Sequence, residues 1–434
     1  MKQYDSYKES GVEWIGKVPS HWEIMPLKFT GTFGNGLTYS PKDVVDNGIL
    51  VLRSSNIQNS SLSFEDNVYV SNVSKVLLVQ KGDVIICSRN GSAALVGKSA
   101  FIDKDINATF GAFMMRYIPK INKKYGFYLF QTAIGRYKGY FATTTINQLT
   151  KSTIGEMKVP LANTEEQTAI VDFLDNKCSE IDKVISAQQK RIALLQELKQ
   201  SVITHVVTKG LNPNVEMKDS GVEWIGKVPK HWEICKLKHV SSLYGRIGFR
   251  GYNQTDLVSE GEGAITLSPS NMQNGTMDYN KCSFLSWKKY YESPEIMIKD
   301  GDILFVKTGS TYGKTSLVNK LPMEATINPQ IVVFKDIKVN NHFLYYLLTN
   351  DIVQMQVSLT VGGSTIPTLS QDNILNYVIP IAPKNEQDEI ANYLDKKCKS
   401  IDSSISKAQH QVELLQEYKQ SLITEVVTGK RKVS

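Results

Sequence analysis

The feature that most constrains this chain is that it is written twice. Ser10-Gly-Val-Glu-Trp-Ile-Gly-Lys-Val-Pro-Ser-His-Trp-Glu-Ile24 recurs from Ser220 to Ile234, with fourteen of fifteen positions identical at an offset of 210. Further on, 174–208 matches 394–428 at 21 of 35 positions, at an offset of 220. Repeats of this length require two supersecondary units of the same build, so two related bodies must stand on two related supports. Between the matched ends the copies diverge and leave only echoes. Ser55-Asn56 answers Ser270-Asn271, Gly82-Asp83-Val84 answers Gly301-Asp302-Ile303, and Asn90-Gly91-Ser92 answers Thr308-Gly309-Ser310. The shift in offset places insertions and deletions inside the bodies.

The second matched stretch has the period of a helix seam. In the first copy Leu174, Cys178, Ile181, Ile185, Ile192, Leu195, Val202 and Val206 recur at alternating steps of four and three, broken by Gln188 and Lys199. The second copy repeats this with Leu394, Cys398, Ile401, Ile405, Ala408, Val412, Leu415, Leu422 and Val426, broken by Lys419. Such a stripe is the seam of a coiled coil, and 35 residues span about 52 Å, longer than a small domain needs. Thr164-Glu-Glu-Gln167 reads as a capping box, Asn385 as the second cap, and Gly210 and Gly429 as stops. The expected fold is α+β. Two mixed α/β bodies are separated by two long helices that pair as an antiparallel coiled coil, related by a pseudo-two-fold. The boundaries read as a scaffold segment 1–24, a first body 25–160, a central helix 161–210, a repeated scaffold segment 211–234, a second body 235–380 and a last helix 381–434.

Within the bodies, Gly48–Leu52, Asp83–Cys87 and Asp302–Val306 are apolar, strand-like runs, while Tyr125–Tyr137 and His342–Gln356 have helical character. Polar, Gly-rich loops carrying basic residues follow the strands. Arginine can grip a guanine edge with two hydrogen bonds, Asn or Gln does the same for adenine, and Lys neutralises phosphate. On those grounds Arg53, Asn56, Arg89, Asn90, Lys98, Arg136 and Lys138 in the first body are candidate DNA contacts. Arg246, Arg250, Lys307, Thr308, Tyr312 and Lys314 are candidates in the second. The same loops also suit plain solvent-exposed turns. Charge is uneven: 25–160 carries 16 Lys and Arg against 8 Asp and Glu, and 235–380 carries 13 against 12. A polyanion partner fits the first body better than the second.

Several chemistries are disfavoured. No apolar run approaches the roughly 18 residues of a membrane span, and Met1-Lys2-Gln3-Tyr4-Asp5 is not the start of a signal peptide, so a cytoplasmic protein is expected. The five cysteines form no Cys-x-x-Cys pair and there is no His-Glu-x-x-His, so neither a disulfide framework nor a metal site is expected. Gly309-Ser-Thr-Tyr-Gly313-Lys314 has three residues between its glycines where a phosphate-binding P-loop needs four, and Gly91 to Gly97-Lys98 has five. Asn328-Pro329-Gln330-Ile331 lacks the second proline and the aromatic of an adenine methyltransferase loop. Trp14, Trp22, Trp224 and Trp232, with His21 and His231, read as packing groups. No catalytic residue and no cofactor is assigned to the chain.

The order of matched segment, variable body and long helix, given twice, resembles the specificity subunit of type I restriction–modification systems. The most specific carriers are Gly11-Val-Glu-Trp-Ile-Gly-Lys-Val-Pro-Ser-His-Trp22 with its repeat, and the helices beginning at Glu166-Gln167 and Glu386-Gln387. The resemblance implies that each body reads one half of a bipartite, asymmetric site on double-stranded DNA, and that the helices set the spacer. It also implies two methyltransferase subunits that carry S-adenosylmethionine, and motor–nuclease subunits that use ATP and Mg. A coiled-coil adaptor that assembles proteins without touching DNA is the alternative reading.

Overall fold

The computed structural model describes residues 3–137, 148–246, 248–273, 275–361 and 368–433. They form two compact units, one of residues 1–189 with 410–434 and one of residues 190–409. Each unit therefore holds one body and one part of each long helix.

In the first unit, Val84–Cys87 is an unbroken apolar run, and all four residues are buried. Period-two alternation sends Val84 and Ile86 into one core and Ile85 and Cys87 into another. A strand covered on both faces belongs inside a sheet. This one lies between Ser99–Phe101 and Met114–Pro119, and Gly31–Asn35 completes an antiparallel sheet of four. A second sheet runs in the order Val44–Val45, Tyr69–Val70, Ile49–Leu52 and Ala108–Phe110, with its last two strands parallel. The expected helix runs over Lys123–Tyr137.

The second unit repeats this plan on a diverged sequence. Thr315–Leu317, Ile303–Val306, Ile331–Lys335 and Ser242–Gly245 form the first sheet. Leu257–Val258, Ser283–Ser286, Gly263–Leu267 and Ala325–Ile327 form the second, again closed by a parallel pair. Ile303 and Phe305 enter one core, Leu304 and Val306 the other. The helix expected over His342–Gln356 is two helices, Asn341–Thr349 and Asp351–Thr360. The break has a local cause. The Asn350 side chain accepts the Val353 N–H at 3.1 Å and starts a new helix.

The long helices are Thr164–Lys209 and Lys384–Val427. In the first unit Arg431 lies over the Phe173 ring while Lys419 meets Asp182 at 2.7 Å. Rising numbers on one helix meet falling numbers on the other, so the pair is antiparallel. The second unit carries the same ion pair with the helices exchanged, Lys199 to Asp402 at 2.8 Å. The two lysines that interrupt the seams are thus its cross-links. Leu174, Ile181, Ile185 and Leu422 are buried in the first unit, as are Leu394, Ile401 and Ile405 in the second. Each such side chain contributes about 1.5–3 kcal/mol. Val412 and Leu415 in the first unit, and Ile192, Leu195 and Val202 in the second, are half-buried.

The helix starts differ from expectation. Asn163 caps the first helix, accepting the Glu166 N–H at 2.9 Å, and Thr164 is already inside. The Glu and Gln of the expected capping box are used elsewhere. Asn385 likewise lies within the first turn of its helix, which begins at Lys384. At the other ends Gly210 and Gly429 adopt φ of +76° and +72°, the left-handed stop that favours glycine.

Candidate nucleic-acid interface

The matched segments and helix starts are joined by one clamp, built once in each unit. Glu166 accepts the Trp22 indole N–H at 3.0 Å, and its carboxylate also lies 3.0 Å from His21 Nε2. In the second unit Glu386 holds Trp232 at 3.0 Å and His231 at 2.6 Å. The next residue faces the body. Gln167 accepts the Asn122 backbone N–H at 3.0 Å and donates to Ala162 O at 2.8 Å; Gln387 does the same with Asn340 and Ala382, both at 2.8 Å. About two turns further along, Tyr128 donates to Asp175 at 2.5 Å and Tyr346 to Asp395 at 2.8 Å. Burial, followed by the hydrogen bond to the carboxylate, raises both phenol pKa values well above the ordinary range. Each body is therefore pinned to its helix by paired polar contacts, buried at Gln167 and Gln387 and half-buried where Tyr128 and Tyr346 meet Asp175 and Asp395. The Glu-Gln motif is that pin.

With the frames matched, the hydrogen bonds align the bodies residue by residue. In the first, Ser88 N–H donates to Phe113 O at 2.9 Å, and Leu149 N–H donates to Ser88 O at 2.7 Å. In the second, Lys307 N–H donates to Gln330 O and Leu369 N–H to Lys307 O, both at 2.8 Å. The next residues, Arg89 and Thr308, make single bridges to Gln148 and Thr368. Arg89, not Asn90, is thus the counterpart of Thr308, which shifts the sequence echo by one residue. Behind this edge, Cys87 exchanges backbone hydrogen bonds with Gly97 and Lys98 at 2.8 Å, and Val306 with Gly313 and Lys314 at 2.9 Å. Gly97 and Gly313 have φ of +84° and +81°. The shared Gly-Lys is a hairpin return, which explains why neither copy has P-loop spacing.

The candidate residues divide by placement. Arg89 is exposed, with its guanidinium 5.3 Å from the centroid of the Phe113 ring. Asn90 reaches Ser54 Oγ at 3.3 Å and Lys98 is half-exposed. Lys307 and Thr308 stand on the matching edge, and Lys314 Nζ lies 3.3 Å from Pro269 O. Tyr312 packs against the core of the second unit. Arg136 is exposed on the last turn of its helix, near Ile134, over which Gly97 sits. Lys138 lies outside the described residues. Arg53 is tied to Asp66 at 2.7 Å, and Arg250 lies 3.2 Å from Glu295.

Two candidates point inward. Asn56 is fully buried, donating to Ser63 O and Asp66 O at 3.1 and 3.0 Å and accepting the Arg53 N–H at 2.9 Å. Its counterpart Asn271 makes the same three bonds in the second body, so this echo marks a loop pin rather than a base contact. Arg246 is also buried. Its guanidinium donates to Thr326 Oγ1 at 2.9 Å and Ile327 O at 3.2 Å and lies over Tyr252, while desolvation lowers its pKa. Both amide and guanidinium are occupied in holding loops. Sequence reasoning missed Phe113 and Gln330, whose place on the edge depends on pairings about 25 residues distant in the chain.

The family described as type I restriction modification DNA specificity domain matches residues 19–193 and 247–414. The MjaVIII specificity subunit of Methanocaldococcus jannaschii is 24% identical over 375 residues, covering 84% of this chain and 83% of that protein. The EcoKI specificity subunit of Escherichia coli is 23% identical over 431 residues, covering 95% and 90%. A chain solved in work on complex assembly and conformational transition of the type I R-M system aligns with a TM-score of 0.68 at 14% identity. It covers 94% of this chain and 98% of that one, a likeness of fold. With most of each body and much of each long helix inside the match, the chain belongs to the family of type I restriction–modification DNA specificity subunits.

Proposed function

We propose that the chain reads a split, asymmetric sequence of double-stranded DNA, one half with each body, on behalf of partner subunits that carry the chemistry. One observation carries this reading. The two bodies share sheet order and edge hydrogen bonds, yet place different side chains at equivalent positions: exposed Arg89 and Phe113 in one, half-exposed Thr308 and exposed Gln330 in the other. One frame holding two different readers suits a site whose halves differ. The chain itself is non-catalytic in this reading. Its histidines His21 and His231 serve the Trp–Glu clamps, while adenine methylation with S-adenosylmethionine and ATP- and Mg-dependent cleavage belong to partners. Two methyltransferase subunits dock on the helices at Leu194 and Leu198 and at the corresponding Leu414 and Tyr418, all four exposed and apolar. The assembled complex should prefer one split duplex over a scrambled one by about 10³-fold or more at near-physiological salt. Equal affinity would overturn the reading.

A further inference from the structure

We infer that Phe113 and Gln330 determine the sequence read by the first and second body respectively, while Lys98 and Lys314 make the sequence-independent phosphate contacts. The assignment rests on the DNA-reading role proposed above and names the residues that carry it out. Its basis is the contrast between what the two bodies share at one edge and what they vary there.

The shared part is the hairpin return. Gly97-Lys98 and Gly313-Lys314 occupy the same hydrogen-bonded position beside Cys87 and Val306, with the same left-handed glycine. Both lysines are half-exposed, and Lys314 reaches toward the loop after Gly263–Leu267. The corresponding loop of the first body is reached by Asn90 through Ser54. A phosphate looks the same in every sequence, so a phosphate-binding lysine can stay constant between two readers of different bases.

The varied part lies across the same strands. Phe113 and Gln330 each offer a backbone carbonyl to the neighbouring strand, to Ser88 N–H and Lys307 N–H, which fixes both residues at one point of the frame. Their side chains are exposed and have opposite chemistry. Phe113 is 61% exposed, and Arg89 lies over its ring. An aromatic face suits a thymine methyl, and a guanidinium held beside it suits the guanine O6/N7 edge. Gln330 is an amide in that position, its Oε1 steadied by Asn328 Nδ2 at 3.1 Å and keeping a second lone pair, and its neighbour Thr308 replaces Arg89. An amide suits the adenine N6/N7 pair. Most of the large apolar side chain of Phe113 is left in solvent at the junction of two sheets. Contact with a base edge would cover the part of the ring that Arg89 leaves open.

The test uses the full chain, alone and with co-expressed methyltransferase subunits, to select bound duplexes from a random-sequence library. Wild type is compared with Phe113→Gln, Gln330→Phe, Lys98→Gln and Lys314→Gln. Phe113→Gln should change the bases enriched in one half-site only, and Gln330→Phe those in the other half only, each by about tenfold or more at the affected position. Each lysine variant should keep both enriched half-sites, bind all duplexes more weakly, and lower the salt slope by about one. Because both varied side chains are exposed, thermal unfolding should match wild type; Phe113→Leu is a second variant that keeps an apolar side chain. Unchanged half-sites in both swap variants overturn the inference and leave the DNA-reading role standing. No enriched sequence with wild type overturns that role and the inference together.

Discussion

Trp22 donates its indole N–H to Glu166 at 3.0 Å, closing a contact across 144 residues of chain. Trp22 is fully buried, so the carboxylate removes what would otherwise be an unsatisfied donor in the core. Glu166→Ala should destabilise the first unit by about 1–3 kcal/mol, and Glu386→Ala should act likewise on the second. Glu166→Gln keeps an acceptor oxygen and should cost less than half as much. Urea midpoints, followed through tryptophan fluorescence, check the order; equal losses for Ala and Gln would show that the indole does not depend on this bond.

The antiparallel register makes its own prediction. Lys419 pairs with Asp182 and Lys199 with Asp402. These side chains are a quarter to a half exposed, so each pair is worth only about 0.5–1 kcal/mol. Asp182→Lys should lower stability by about 1 kcal/mol through like-charge contact. Adding Lys419→Asp should restore it, whereas combining Asp182→Lys with Lys199→Asp should not. A melting series over the four chains decides it.

Alkaline pH should loosen both bodies from their helices. Tyr128 and Tyr346 are held protonated by burial and by Asp175 and Asp395, so their native pKa values lie above the roughly 10 of the unfolded chain. A raised pKa stabilises the fold fully below the unfolded value, and that contribution is lost as pH rises beyond it. Stability should therefore fall above about pH 10, and Tyr128→Phe with Tyr346→Phe should flatten the dependence. Urea midpoints between pH 8 and 11 test the sign.

The proposed docking surface separates assembly from folding. Leu194 and Leu198 are exposed, so replacing both with Asp should change the stability of the chain by about 0.5 kcal/mol or less. The same change should weaken binding of a methyltransferase subunit by about tenfold or more. Leu414→Asp with Tyr418→Asp should do the same at the equivalent place. Titration calorimetry beside thermal unfolding distinguishes the two effects.

The sequence made the frame legible because its signals are local. The 3.5-residue stripe from Leu174 onward and the apolar runs at Val84–Cys87 and Ile303–Val306 report on neighbours a few residues away. The edge was harder to read. Arg89 was visible as a basic loop residue, but its partner Phe113 arrives through a sheet pairing that no local pattern encodes. Asn56 and Arg246 were misleading for a related reason. A polar side chain that pins a loop has the same composition as one that faces a ligand, and only burial tells them apart. Thr164-Glu-Glu-Gln167 has the pattern of a capping box, but Asn163 takes the capping role and leaves Glu166 and Gln167 to serve as clamps.

The division of the helices also orders the birth of the protein. Residues 190–409 are continuous, so the second unit can close once Gln409 has emerged from the ribosome. The first unit begins earlier and finishes later. Its core stays open, with Ile170, Leu174 and Cys178 uncovered, until Leu422, Ile423 and Val426 emerge. A nascent chain that has exposed Gln409 but not yet Leu422 would carry a closed second unit and an open first one.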